Sequence, residues 1–205
     1  MKLTYSIAEI QSWNRFTRAN FINSLSGFKS LSLIGTINKS GASNLAIFSN
    51  IVHLGADPAL IGFINRPLEA APHTLKNIQE TGFYTVNLVT ESMCNQAHQT
   101  SAKYPEGVSE FEMTGLTEEY REGCIVPFVS ESPVQYLLKF EQVIPIELNR
   151  TFLVIGSLQA AVVPAEIQEM DGFLDLAKAE ILTSLGISGY YKTEKISKLP
   201  YAKII

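Results

Sequence analysis

Cysteine is nearly absent. Cys94 and Cys124 stand far apart in 205 residues, outside any C-x-x-C spacing, so neither a zinc ribbon nor a redox pair is indicated. No base accompanies either in sequence, and both read as inert thiols. Histidine is equally sparse. His53, His73 and His98 lack the i, i+4 spacing of a helical metal pair; His53 reads as a structural residue in a strand and His98 as exposed on a helix. No apolar run reaches the roughly 18 residues a spanning helix requires, which argues against a membrane protein. The opening "MKLTYSIAEIQSW" has no basic segment followed by an apolar stretch, so a cytoplasmic location is expected. Without a secretory route, the N-x-[ST] sites at Asn38 and Asn149 carry no weight. Charge is scarce too: 18% of residues, net −4, with a pI near 5.4. Nucleic acid is therefore not an expected partner, because counterion release needs a basic face. There is no G-x-G-x-x-G, no P-loop, no H-E-x-x-H and no G-x-S-x-G, which removes the commonest nucleotide, metalloprotease and esterase signatures.

Apolar residues, in contrast, are plentiful at 46%. The length suits one domain over 1–205 with a buried core, carrying an N-terminal helical extension (1–25) and a C-terminal helix and tail (172–205). Low charge with many apolar residues also points to an oligomer. Ser6 to Glu9 matches a capping box and opens a helical stretch through Ile7, Ile10, Trp13 and Phe16; a second short helix is expected over 19–25. The pattern then turns to β. Strands are expected over 28–38 and 44–55, joined as a hairpin by "KSGAS", and over 59–65, apolar enough for burial on both faces. A helix over 74–80 stops at Gly82. A strand over 83–89 and a short helix over 92–102 follow. Residues 103–124 read as a connection too polar for the core, 132–164 as a long hairpin about Asn149, and "LDLAKAEILTSLG" as a helix. Antiparallel neighbours with helices placed irregularly exclude a doubly wound sheet. The expectation is a mainly β fold, a closed or nearly closed antiparallel barrel with peripheral α-helices.

Two segments carry candidate chemistry. In "SGASNLAIFSN" (40–50) a Gly turn leads into a strand with Asn44, Ser49 and Asn50 among apolar residues. Such a strand offers amides and side chains to the edge of a flat heterocycle, and reads equally as an ordinary hairpin. In "RPLEAAPHTLKNI" (66–78), Arg66, His73, Thr74 and Lys76 gather at a helix start. Unpaired N–H groups and the helix dipole favour an anion there, and Arg66 offers a bidentate fork to phosphate. Alternatively, Thr74 is only a cap and the cations are solvated.

The ordered set "NSLSGFKSLSLIGT", "SNLAIFSNIVHLGADPALIGFINRP", "HTLKNIQETGFYTVNLV", "YPEGVSEFEMTGLT" and "SESPVQYLLKFE" resembles the flavin reductase-like family of FMN-binding split-barrel proteins. The resemblance runs from about residue 20 to the end, and "ISGYYKTEKISKLPYAKI" is similar to the ending of one branch. It implies an antiparallel split β-barrel of six strands in a homodimer, with FMN near the interface. By position it implies that Asn44, Leu45 and Ala46 contact the flavin through backbone, and Ser49 and Asn50 through side chains. Arg66, His73 and Thr74 would hold the phosphate, and the stretch from Phe28 to Ser32, with Lys29, Ser30 and Ser32, would flank the ring. This chain departs from the common family pattern at Phe28-Lys29-Ser30 (usually Pro-Arg-Pro), at Pro58-Ala59 (usually Pro-Pro) and at Pro72-His73 (usually Lys-Asp).

The function so implied is an FMN-dependent oxidoreductase drawing electrons from NAD(P)H. Its chemistry resides in the cofactor, so no catalytic acid or base need stand out in the sequence. Two alternatives remain: a non-enzymatic FMN-binding electron carrier or sensor, and a split-barrel oxidase of a small phosphorylated amine.

Overall fold

A computed structural model describes residues 1–105 and 107–204. Two helices lead: α1 (Ile7–Ser12) and α2 (Arg15–Leu25). The capping box is present, with the Ser6 N–H and hydroxyl both donating to Glu9 at 2.7 Å. The single stretch expected through Phe16 is instead broken at Trp13. Asn14 restarts the helix there, accepting the N–H groups of Phe16 and Thr17.

The main sheet has seven strands: β2 (Ser32–Ile37), β3 (Ser43–Phe48), β4 (Ile51–Ala56), β5 (Ala59–Asn65), β6 (Phe83–Leu88), β9 (Gln135–Ile146) and β10 (Thr151–Val162). Their order is β3-β2-β6-β9-β10-β5-β4, antiparallel throughout. The two edge strands, β3 and β4, are consecutive in the chain and separated only by Ser49 and Asn50. One long kinked strand therefore belongs to both edges, and the sheet closes into the six-walled split barrel. This is also why 44–55 reads as one strand in the sequence. At the corner the Asn50 amide acts as a surrogate peptide. Its Nδ2 donates to the Ile64 carbonyl (3.1 Å) and its Oδ1 accepts the Ile64 N–H (3.2 Å), continuing the ladder beyond the Ile51–Phe63 pair.

Ile34, Phe48, Phe63, Tyr84, Val86, Leu138 and Val154 fill the barrel. Helix α3 (His73–Thr81) closes one opening with Leu75 and Ile78 and ends where Gly82 turns left-handed (φ 78°). A second core lies outside β2 and β3, where α4 (Cys94–Gln99) and α5 (Glu110–Thr114) bring Met93, Ala97 and Phe111 against Leu31, Leu33 and Leu45.

Two expectations need correction. The 103–124 connection is not wholly outside the core, since Glu110, Phe111 and Leu116 are all buried. The stretch from Leu174 to Gly186 forms no helix. It makes turns and then β11 (Leu182–Leu185), which pairs with β1 (Lys29–Ser30) and β12 (Gly189–Lys192) in a separate sheet. Edge pairing with β1 and burial of Ile181 and Leu182 outweigh the local helical propensity. The two remaining short strands, β7 (Glu118–Glu119) and β8 (Phe128–Val129), pair with each other. Among the described residues no helix is long and apolar enough to cross a membrane.

Candidate functional site

A cleft of about 490 Å³ opens beside the barrel corner. The inner wall is β3 and the bend after it. The floor comes from Arg66 at the end of β5, the loop behind it, and the first turn of α3. The outer wall comes from α4 with residues 100–104, and from β11 to β12. Strand pairing fixes the inner wall, and the small β1-β11-β12 sheet helps place the outer one.

Of the sequence candidates, Asn44, Ala46, Ser49, Asn50, Arg66, His73 and Thr74 line this cleft together, although they come from three elements. Arg66 is exposed, and among the described residues its guanidinium has no hydrogen-bond or ion-pair partner. Its nearest acidic neighbour in sequence, Glu69, pairs with Arg150 instead (3.2 Å). Thr74 does not cap α3. Pro72 holds the N-cap position without a side-chain bond, so the amides of the first turn stay open toward the cleft. The buried Thr74 hydroxyl lies 3.4 Å from Asn44 Nδ2, which also reaches Thr36.

Five candidates are placed away from the cleft or have their polar groups engaged elsewhere. Leu45 is fully buried, and its N–H donates to Glu110 Oε2 at 2.9 Å; that amide is not free for a ligand. Asn50 borders the cleft, but its side chain is spent on Ile64. The Lys29 ammonium folds back onto the carbonyl of Asn23 (2.6 Å) and the hydroxyl of Ser26. Ser30 and Ser32 stand outside the lining with buried hydroxyls that have no partner. The stretch 29–32 lies one strand away from the cleft, and only Leu31 reaches it.

The sequence reading missed the outer wall and Glu110. Glu110 is 7% exposed and lines the cleft. Burial pushes its carboxyl above the ordinary range, while the Leu45 N–H, its own N–H and the neighbouring His73 charge pull it back. On the outer wall, His98 Nδ1 and the Tyr190 hydroxyl lie 2.6 Å apart. Beside them, Ser184 is 5% exposed and its hydroxyl has no partner. An unpaired buried polar group costs roughly 1–3 kcal/mol, so each such group needs an explanation. No local pattern signals these residues, because they meet only through tertiary pairing. His53 lies on β4, as expected of a strand residue, and is exposed there. Cys94 has its thiol pushed up by burial and by Glu91, in keeping with an inert role.

The sequence model of the flavin reductase like domain matches residues 28–179. The chain belongs to this family. Among solved structures, a candidate flavin reductase with a split barrel domain from Shewanella frigidimarina NCIMB 400 is 44% identical. It superposes with a TM-score of 0.94 and covers 98% of this chain and 100% of that one. Nitrilotriacetate monooxygenase component B from Bacillus cereus, at 21% identity, TM-score 0.84 and coverage of 97% and 99%, shares the fold. Two curated relatives match more narrowly. One, from Aquifex aeolicus, is 31% identical over 55% of this chain; the other, from Halalkalibacterium halodurans, is 36% identical over 57%. The chain spans 59% and 56% of their respective lengths. The flavin reductase like domain model stops at residue 179, so Ser184, Ile187 and Tyr190 of the outer wall lie beyond the matched span.

Proposed function

We propose that the protein is a flavin-dependent oxidoreductase that holds FMN in the cleft and draws electrons from NADH or NADPH. Membership in the flavin reductase like domain family supports a flavin and redox chemistry. FMN in particular is favoured by one observation: the Arg66 guanidinium, without a partner among the described residues, beside an uncapped helix start, at one end of a cleft large enough for a single nucleotide. That end suits a dianionic phosphate monoester. Arg66 gives a fork of donors, the first-turn amides of α3 give N–H groups on the positive end of the helix dipole, and His73 and Thr74 flank them. Asn44, Ala46 and Ser49 on the inner wall face the remainder of the ligand. Leu45 contributes by being held in place rather than by touching.

When bound, the flavin supplies a ring that accepts a hydride and passes electrons on. The chain's own work is to bind, orient and tune. The bond from Leu45 to Glu110 pins the strand that forms the inner wall. Asn50 fixes the corner where that strand bends, and Thr36 with Asn44 ties the wall to α3. The exposed apolar side chains of α1, α2 and the C-terminal tail support a homodimer. A soluble cytoplasmic setting is part of the same proposal.

The test is a visible spectrum of the purified protein, with and without added FMN, followed by steady-state oxidation of NADH and NADPH in excess FMN. Flavin bands and turnover are expected. Absence of any flavin uptake overturns the proposal, and uptake without nicotinamide oxidation turns it into an electron carrier or sensor.

A further inference from the structure

The loop from β5 to α3 carries the cationic end of the cleft, and one buried side chain holds it at both ends. Asn65, the last residue of β5, is fully buried and pairs with Phe152 of β10. Its Nδ2 donates to the Arg66 carbonyl at 2.8 Å and to the Ala71 carbonyl at 3.3 Å, so both amide protons go to the loop. Between those points the chain turns back on itself. The N–H groups of Ala70 and Ala71 both donate to the Pro67 carbonyl, at 2.8 and 3.1 Å. Pro72 and the start of α3 follow at once. Arg66 and every residue from Glu69 to Thr74 line the cleft, whereas Asn65 stands behind the lining. Among the described residues the Asn65 amide oxygen has no partner. Reversing the amide would set that oxygen against two carbonyls, so the acceptors fix its orientation. An unpaired buried acceptor costs roughly 1–3 kcal/mol; an apolar side chain would fill the barrel end without that cost.

We infer that Asn65 is a positioning residue for anion binding: through these two carbonyls it sets the Arg66 guanidinium against the first turn of α3. The inference rests on the proposed FMN reading and deepens it. Arg66 belongs to the end of a strand and the open N–H groups to a separate helix. One phosphate can use both only if each lies about 3 Å from its oxygens. Gripping the Arg66 carbonyl fixes the peptide from which the guanidinium projects. Gripping the Ala71 carbonyl fixes the peptide that leads into α3. Each gripped carbonyl immediately precedes a proline, Pro67 or Pro72, whose ring narrows the backbone on both sides of that bond. The amide and the two prolines therefore hold the two halves of the site at one spacing. The Glu69–Arg150 pair braces the loop from outside at 3.2 Å, but both side chains are exposed and such pairs contribute little. Asn65 touches no ligand. Its effect is that the phosphate meets a loop already ordered, so less freedom is lost on binding.

The experiment is a fluorescence titration with FMN and with riboflavin, alongside thermal melts of the ligand-free proteins. It compares wild type, Asn65→Ala, Asn65→Leu, Arg66→Ala and the double variant Asn65→Ala with Arg66→Ala. Leucine is close to asparagine in volume, so it removes both donors without opening a void. Each Asn65 variant should weaken FMN by about tenfold and leave riboflavin within about twofold. In the Arg66→Ala background the further loss of FMN affinity should shrink well below tenfold, because the group being positioned is gone. A merely structural role would weaken both flavins alike, and its effect would add in full to that of Arg66→Ala. Either result overturns the positioning role while leaving the FMN reading in place. So does wild-type FMN affinity in a folded Asn65 variant, or failure of both Asn65 variants to fold, which would assign the residue to the barrel alone. A wild type that takes up neither flavin, or binds riboflavin as tightly as FMN, overturns the phosphate reading itself and the role of Asn65 with it.

Discussion

Arg66 and Glu110 are opposite charges in one cleft, and their environments give them different tasks. Arg66 is exposed with no partner among the described residues, so it is free to meet an anion from solution. Arg66→Ala should weaken FMN by about 10- to 100-fold, the size of a charge-assisted hydrogen bond, and leave riboflavin within about twofold. Equal loss for both ligands in a binding titration would show that Arg66 does not touch the phosphate. Glu110 is buried, and its carboxyl is raised, chiefly by desolvation. A carboxyl with a folded value above its unfolded one binds extra protons in the folded state, so its favourable contribution is complete below about pH 4.5. That contribution is lost as pH rises through the raised folded value. Glu110→Gln keeps an acceptor for the Leu45 N–H without the charge. Its melting temperature relative to wild type should climb with pH across that window and then level off. A difference independent of pH would remove the buried charge as the cause.

The elements show what a sequence can and cannot disclose. Strands β5 and β6 and helix α3 were legible because each signals itself: a short apolar run, an alternation, a helical stretch ending at Gly82. The barrel corner was not, because no residue between 44 and 55 breaks the β pattern; the break comes from the curvature needed to join two edges of one sheet. The last expected helix failed for a related reason. Residues 174–186 have helical propensity but find β1 as a partner, and pairing across the fold outweighs a few tenths of a kcal/mol per residue. The same limit divided the candidate site. The inner wall and the cationic end were readable because each lies on one continuous segment. Glu110, His98, Ser184 and Tyr190 were not, because they come from separate segments gathered only by folding. Asn50 tests the corner itself. Replacing it with Ala leaves the Ile64 N–H and carbonyl without these partners at a partly buried position, which should cost about 2 kcal/mol. Urea unfolding checks this, and an unchanged midpoint would mean that water replaces the amide.

At the scale of the whole molecule, the surface is unfinished. Helices α1 and α2 bury no residue at all. A Tyr5–Trp13–Phe21 ring cluster holds them to each other, while Phe16 is 74% exposed and Leu25 68%. Short helices are marginal in water without a buried face, so these two need cover. The C-terminal tail repeats the theme. Lys195 and Lys198 anchor its start to Glu169, Asp171 and Asp175, with the Phe173 ring beside both ammonium groups. Beyond the anchor, Leu199, Tyr201 and Ile204 stand almost fully in solvent. Apolar surface on this scale marks association, and closed two-fold pairing is the commonest form it takes. The expected species in sedimentation is therefore about twice the 22.6 kDa chain. Phe16→Glu with Leu25→Glu should shift it toward the monomer, because each places a charge where the helices need an apolar partner. Cleft residues would be untouched, so flavin affinity per chain separates the two roles of the surface. If the monomer forms and still binds FMN normally, the cleft is complete within one chain. If affinity falls with dissociation, the dimer supplies part of the site. A wild-type protein that stays monomeric at tens of micromolar would show that α1, α2 and the tail are covered in some other way.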